Sequence, residues 1–525
     1  MRLLSVCLAA LVLAACSSSE GGGDDGPTAG QIPDKAGMTV KGIVKDSAGN
    51  GIAGVVVSDG LEVTATDERG IYYLASDLAR RNFVFVSVPA DCEIPATQGC
   101  PRFYRKIDRK QAVNRADFTL TRRKTPSDRH SLIVMADIQL AAGHVIGRAF
   151  AVRKAAGYGH GAIGQRRAVI DLLAVRRRQL HLARDSYLGH VVPDVLKTVQ
   201  GLPTEVYGVS LGDLVWNDMS LFPKYRQGLE TLGFTTFSLP GNHDHDPAEL
   251  TDSLALQSYE RYFGPANYSV NIGKIHYLFL DNILFDHAPT AEEEYTIGLT
   301  DEICRWIEAD LRYVPAGSTL VVSSHCPILY HTKNTEARNH RNFQRFLDAI
   351  SPYKVHAFGG HKHYHDIYRY DDGRKVMHCI ARTPGDLFIN GDVNCDGTPR
   401  GYAVVEVDGE RLSWYYKPAG GKRDMQMRLY APGRTNSACV YANVWGYDTA
   451  WSAVEWIPAS GGQAEAMERT QRTDPYYEEV LATGVRGGTP TNTWHMFRVD
   501  PGSERGGMVR VTDSFGHTYE SSVSW

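Results

Sequence analysis

Six apolar runs between residues 131 and 386 constrain the fold of this chain more than any other feature. They are SLIVMAD, VYGVSLGD, TTFSLPGN, HYLFLDN, TLVVSSH and VHAFGGH, with longer mixed segments between them. Short apolar runs of this kind read as strands. DEICRWIEADLRYV and NFQRFLDAIS, which lie among them, have helical spacing. The alternation predicts a layered α/β domain. Most of the runs end on residues that can bind a metal: Asp137, Asp213, Asn242 with His243, His325, and His361-Lys362-His363. Strand ends converge at one edge of such a domain, so these side chains are expected to meet in space. Carboxylate, amide and imidazole together suit divalent manganese, iron, zinc or nickel, and leave the choice among them open.

Both flanks have a different texture. Residues 38–122 contain MTVKGIVKD, GVVVSDG, IYYLAS and FVFVSVP, separated by turn signals, which suggests a small β-sandwich. Asp59, Asp67 and Glu68 there read as turn acids. Residues 394–525 return to β-like alternation and are rich in Trp and Tyr, which read first as core. A chain of 525 residues has room for these three units. With 43% apolar and 22% charged residues the composition is globular. A net charge of -4 argues against nucleic acid as the main partner. Beyond the N-terminus no apolar stretch approaches the roughly 20 residues of a membrane span. Nine scattered cysteines without a CxxC pair exclude a structural zinc ribbon.

Residues 1–16, MRLLSVCLAALVLAAC, have the basic start and short apolar run of a secretory signal. Leu13-Ala14-Ala15-Cys16 resembles the bacterial lipobox, which implies cleavage before Cys16 and lipid on its sulfur. Residues 17–37 are then a polar, Gly-rich tether. The expectation is a cell-envelope lipoprotein, periplasmic or surface-exposed, held on a membrane by acyl chains. In an oxidising compartment a Cys92–Cys100 disulfide is expected, with Cys379 and Cys395 as the other candidate pair.

Asp137-Ile138-Gln139, Gly212-Asp213, Gly241-Asn242-His243-Asp244, His325 and Gly360-His361-Lys362-His363 resemble, in order, the five blocks of the calcineurin-like metallophosphoesterases. That family's pattern is D-x-H, G-D, G-N-H-D/E, H and G-H-x-H. The resemblance spans about residues 131–386, in a domain placed at 128–390, and implies a layered calcineurin-like β-sandwich with flanking helices, with small all-β domains at both ends. The N-terminal segment also resembles a carboxypeptidase-regulatory-like sandwich, and the whole arrangement resembles a bacterial lipoprotein branch of the family. By resemblance, Asp213 would bridge two divalent ions. Asp137, Gln139 and His363 would complete the first, and Asn242, His325 and His361 the second. His243 would contact the phosphate and protonate the leaving oxygen, and Asp244 would hydrogen-bond a neighbouring His.

The pattern is broken in two places. Gln139 stands where His is commoner, and either binds the first metal through its carbonyl or binds none. Residues 141–190 carry many Arg and almost no acids. Two readings of that segment stay open: an altered reading frame, or a basic insertion that brings Arg148, Arg153, Arg166 or Arg167 near the substrate. His144, His160 and His181 within it receive no ligand role. His245, His331, His340 and His365 read as core or surface, Asp218 as a cap, and Lys362 as solvent-facing.

The functional expectation is hydrolysis of a phosphomonoester or phosphodiester by a hydroxide held between two metals. The substrate would be a phosphorylated small molecule or an envelope component, and the oligomeric state stays open. The alternative is a catalytically impaired envelope lipoprotein that binds a glycan or a protein.

Overall fold

A computed structural model describes residues 32–141, 187–285, 295–328, 340–386, 392–435, 437–483 and 489–525. Outside them lie Cys16, His331, and the basic-segment residues His144, Arg148, Arg153, His160, Arg166, Arg167 and His181.

The N-terminal unit is a sandwich of two small sheets. Val40–Asp46 pairs antiparallel with Ile71–Leu74 and parallel with Phe118–Leu120. Val56–Ser58 lies between Val63–Ala65 and Phe83–Ser87 in the other sheet. The turn acids act as such: Asp59 accepts from the Leu61 and Glu62 amides, and Asp67 from those of Arg69 and Ile71. No Cys92–Cys100 disulfide forms, and all seven cysteines among the described residues are free thiols. The short hairpin of Ala96–Thr97 with Cys100–Pro101 separates the pair. It buries Cys92 in the core shared with the N-terminal sandwich and Cys100 in a different core, beside Tyr225 and Leu229.

Eleven strands, numbered here in chain order, build the central sandwich. They are β1 Arg129–Met135, β2 Glu205–Leu211, β3 Thr236–Leu239, β4 Tyr268–Ile272, β5 Ile275–Leu280, β6 Thr319–Ser324, β7 Lys354–Gly359, β8 Asp366–Tyr370, β9 Lys375–Cys379, β10 Gly401–Asp408 and β11 Arg411–Pro418. One sheet runs β3-β2-β1-β10-β11 and the other β4-β5-β6-β7-β9-β8. Alternate residues of a strand face opposite sides, and β1 shows the consequence. Leu132 and Val134 join the core between the sheets, while Ile133 and Met135 face the outer helices. Phe237 and Phe279 stack across the gap between the sheets, ring centroids 5.0 Å apart.

Helices α1 Val192–Val199, α2 Phe222–Leu232 and α3 Gln257–Phe263 cover the first sheet. The second is covered by α4 Asp301–Asp310 and α5 Phe343–Ala349. The α4 start is set locally: Thr300 caps it by accepting from the Ile303 amide, with Asp301 and Glu302 in the first turn. The expected α/β sandwich with an all-β region at each end is the architecture observed.

One boundary moves. The sequence division places 394–525 in a single C-terminal β-domain, but β10 pairs antiparallel with β1 over six residues and β11 continues from β10. Residues 401–418 therefore complete the first central sheet. Their alternation identifies strands without saying which sheet accepts them. The C-terminal sandwich proper follows as two four-stranded sheets, from Arg428–Tyr430 to Thr518–Ser524. On the other flank, the Asn271 amide donates to the Val88 carbonyl at 3.0 Å, and Phe103 lies against Tyr268 at 4.9 Å. The N-terminal sandwich thus shares one continuous core with the central one.

Candidate metal centre

Parallel pairing brings the strand tips together. Met135 lies opposite Ser210, and Leu211 opposite Leu239. In the second sheet Leu280 pairs with Ser324, Ser323 with Phe358, and Gly359 with Cys379. The residues just past these tips share one edge. Beyond β1 and β2 the chains stay zipped, with the Gln139 amide donating to the Asp213 carbonyl at 2.6 Å and the Leu140 amide to Leu214 at 3.1 Å.

The backbone at this edge is strained. Asp137, Gln139, Asp213, His361 and His363 all have φ between 48° and 65°. Left-handed backbone at non-glycine residues costs about 1–3 kcal/mol each and persists where the surroundings over-determine it. Two motif glycines serve close approach instead. A Cβ on Gly241 would strike the Asp213 carboxylate, and one on Gly360 the Asp137 carboxylate.

Two donor sets result. Asp137, Asp213 and His363 offer ligand atoms within 4.8 Å of one another, with His363 Nε2 3.3 Å from Asp137 Oδ1. In the second set, Asn242 Oδ1 lies 3.0 Å from His325 Nε2 and 3.1 Å from His361 Nδ1. Those two ring nitrogens are themselves 3.2 Å apart. Asp213 stands between the sets, its Oδ1 3.3 Å from His325 Nε2. His325 donates from Nδ1 to the Leu211 carbonyl at 2.8 Å, which turns the lone pair of Nε2 toward the centre. Burial, with His325 nearby, holds His361 well below its ordinary value. Burial would raise Asp213, but His325 and His243 hold its carboxyl down to about 2. Neutral imidazoles and ionised carboxylates are the states that bind metal; His361 and Asp213 meet this, while His325, which burial would lower, is raised by Asp213 and Asp137. This convergence of oxygen and nitrogen lone pairs fits borderline divalent cations.

Gln139 is oriented by its neighbours. A guanidinium only donates and a carboxylate only accepts. The Gln139 carbonyl therefore takes Arg382 Nε at 2.7 Å, and its amide nitrogen donates to Asp213 Oδ2 at 2.9 Å. In this arrangement Gln139 holds Asp213 and turns no free carbonyl toward a cation. Arg382 is 1% exposed and also bonds the carbonyls of Ile138 and Gly385. Burial draws its guanidinium down to about 10, so it stays charged at neutral pH. Sequence reasoning missed it, although the β9 run ends on it as the other runs end on ligands.

Around the ligands, His243 donates its backbone amide to Asp213 Oδ1 at 2.9 Å, and its ring stacks on Trp216 at 4.1 Å. His243 Nδ1 lies 2.9 Å from Asn217 Oδ1, which makes Nδ1 the donor, and Nε2 is 4.0 Å from Asp213 Oδ2. Burial lowers this imidazole, against the pull of Asp213. Neither Trp216 nor Asn217 was singled out from the sequence. Asp244 does not bond a neighbouring His. Its carboxylate takes the backbone amides of Gly241, Leu214 and Val215 at 2.9, 3.0 and 3.1 Å, and so ties the Asp213 loop to the Asn242 loop. Burial and the Asp213 charge push it up to about 7, against those three amides. Cys326, read as an isolated buried residue, places its thiol within 4.8 Å of the His325 and His361 donors. Burial keeps it protonated.

Remaining candidates fall elsewhere. His245 is fully buried between Asp252 at 3.7 Å and Asp281 at 3.6 Å, which raise it to about 9 against the burial that would lower it. Asp218 caps a turn through the Ser220 amide, as expected. His340 and Lys362 are half-buried, and His365 is buried just past the ligand loop.

Two family models match the chain. Residues 38–123 match the N terminal of calcineurin-like phosphoesterase and 378–519 its C terminal, on either side of all the candidate metal-binding residues. No curated protein matches. Among solved structures, a dimetal phosphatase from Danio rerio is 13% identical, covering 55% of this chain and 96% of its own, with a TM-score of 0.33. A purple acid phosphatase from yellow lupin, Lupinus luteus, is 11% identical over 70% of this chain and 67% of its own, also at 0.33. A structure of PhoD is 9% identical over 90% and 85%, at 0.34.

Proposed function

We propose that the chain, whose flanks match the N- and C-terminal models of the calcineurin-like phosphoesterases, is a metallophosphoesterase that cleaves a phosphomonoester or phosphodiester with two divalent metal ions. The observation that carries this reading is Asp213, whose carboxylate stands between two sets of donor side chains. Asp137, Asp213 and His363 would hold one cation, and Asn242, His325 and His361 the other, with Asp213 shared. When bound, such a pair of cations neutralises phosphoryl charge and makes water nucleophilic near neutral pH.

The chain's own residues supply the rest. Asp244 and Gln139 hold the Asp213 carboxylate and its loop in register. Trp216 fixes the plane of the His243 ring, and Asn217 fixes its tautomer. With Nδ1 committed to Asn217, Nε2 is the nitrogen that carries a proton to the departing oxygen, as general acid. Burial, which lowers this imidazole, makes its protonated form scarcer at neutral pH but a readier proton donor. The retention of Asp137, Asp213, Asn242, His325, His361 and His363 weighs against a relic that merely binds glycan or protein, since a relic would have no need of them.

By the same reading the substrate lies outside the cytoplasm, as a phosphorylated small molecule or an envelope component, and the enzyme sits there on lipid attached to Cys16. The signal-like start and the lipobox-like LAAC support this. The test is direct. Purified protein with manganese should release nitrophenol from nitrophenyl phosphate or its bis-ester, and Asp213→Asn should abolish release. No turnover and no bound metal would sink the reading. Cys16→Ala should move the protein from the membrane to the soluble fraction.

A further inference from the structure

We propose that His495, in the C-terminal sandwich, is a positioning residue for the metal-binding loop that carries His361 and His363. The C-terminal domain is then a working part of the centre rather than an appendage. The inference rests on the reading of those two histidines as metal holders.

The loop in question leaves β7 at Gly360 and enters β8 at Asp366. His361 and His363 have φ of 65° and 57°, a backbone that neighbouring groups must hold in place. At its entrance, the Gly360 amide donates to the His325 carbonyl at 2.8 Å and the His361 amide to Asp137 Oδ2 at 2.9 Å. Those anchors belong to the centre itself. Its exit is held from outside. The His365 amide donates to Asp396 Oδ2 at 2.9 Å, and the His365 carbonyl accepts from His495 Nε2 at 3.0 Å. His495 Nε2 is also 3.3 Å from Asp396 Oδ2. One ring and one carboxylate, in contact with each other, thus take both backbone groups of a residue two positions past the ligand His363.

His495 is itself fixed. It is 2% exposed, in the strand Thr493–Val499. Its Nδ1 lies 2.7 Å from Asn443 Oδ1. The Asn443 amide nitrogen donates to the Asp396 carbonyl at 2.9 Å and to Asp474 Oδ2 at 2.8 Å, so the oxygen must face the ring. The ring plane is therefore set by a strand of the C-terminal sandwich, Val440–Asn443, and transmitted to the loop.

General cohesion between the domains has a separate fastener. Arg369 on β8 makes a bidentate pair with Asp448 of the C-terminal sandwich, at 2.7 and 3.1 Å, without touching the loop. That pair supplies the control.

The experiment uses the full chain as wild type, His495→Ala, His495→Gln and Arg369→Gln, each stripped and titrated with manganese. Calorimetry reads stoichiometry and affinity, and electron paramagnetic resonance distinguishes a coupled manganese pair from isolated ions. Partners that orient metal ligands are worth 10–100-fold in affinity, and this one acts through backbone. His495→Ala should therefore weaken one of the two ions about tenfold and replace the coupled signal by that of isolated ions. His495→Gln keeps a donor in reach of the His365 carbonyl and should recover most of the loss. Arg369→Gln should keep both ions. If the alanine variant does not fold, His495→Met, apolar and of similar volume, replaces it. Two tight ions in the His495 variant, or an equal loss in Arg369→Gln, overturns the proposal while leaving the phosphoesterase reading intact. A wild type that binds no manganese overturns both.

Discussion

Asp244→Asn tests how the centre is held open. The carboxylate accepts three buried backbone amides, two on Oδ2 and one on Oδ1. An asparagine oxygen can keep the Leu214 and Gly241 donors, but its NH2 then faces the Val215 N–H. Leaving one buried donor unsatisfied costs about 1–3 kcal/mol. The two remaining bonds lose their charge assistance, about 1 kcal/mol each. The sum is about 3–5 kcal/mol of local stability. At 1.4 kcal/mol per decade, the Leu214, Val215 and Gly241 amides should exchange with deuterium roughly 100-fold faster or more. The measurement belongs at pH 8, above the value of about 7 for Asp244, so that most of the wild type is ionised. Exchange rates within about threefold of the wild type at those amides would refute the account, because the bonds would then not be holding the loops.

Further outcomes follow from the same geometry. His243→Ala should cost about 100-fold or more on an alkyl phosphate, whose leaving oxygen needs a proton, and far less on nitrophenyl phosphate; equal losses on both would remove His243 from the acid role. Asn217→Ala should fall in the same direction by a smaller factor. Gly360→Ala puts a methyl group against the Asp137 carboxylate and should abolish manganese binding at that set, read by metal analysis of the purified variant. His245, raised to about 9 from an ordinary 6.5, stabilises the fold fully below pH 6.5, progressively less above it, and not at all beyond about 9. The shift corresponds to about 3 kcal/mol. His245→Gln should therefore flatten the alkaline limb of a melting-temperature profile between pH 6.5 and 9, and an unchanged limb would contradict the assignment.

Strand-like runs ending on Asp137, Asp213, Asn242, His325 and His361 were legible because a strand's period and its terminal residues are local properties of the chain. Gly241 and Gly360 were legible only as members of the motif; their role, letting one backbone approach another's carboxylate, appears where the tips meet. Other features depended on which tip faces which. Gln139 and Arg382 are 243 residues apart, and their bond decides where the Gln139 carbonyl points. His365 and His495 are separated by 130 residues, and the His495 strand reads only as core until its ring is seen against the ligand loop. Asp244 has the spelling of a histidine partner, yet packing sets three amides around it. Likewise β10 and β11 have the alternation of strands but no local mark of the sheet that accepts them. Alone, the amino-acid order determined which side chains stand at strand ends and hence the chemistry they can share, since that follows from periodicity and residue type. Only the tertiary structure decided who meets whom, because the register between sheets and the docking of one domain on another are set by contacts made through space.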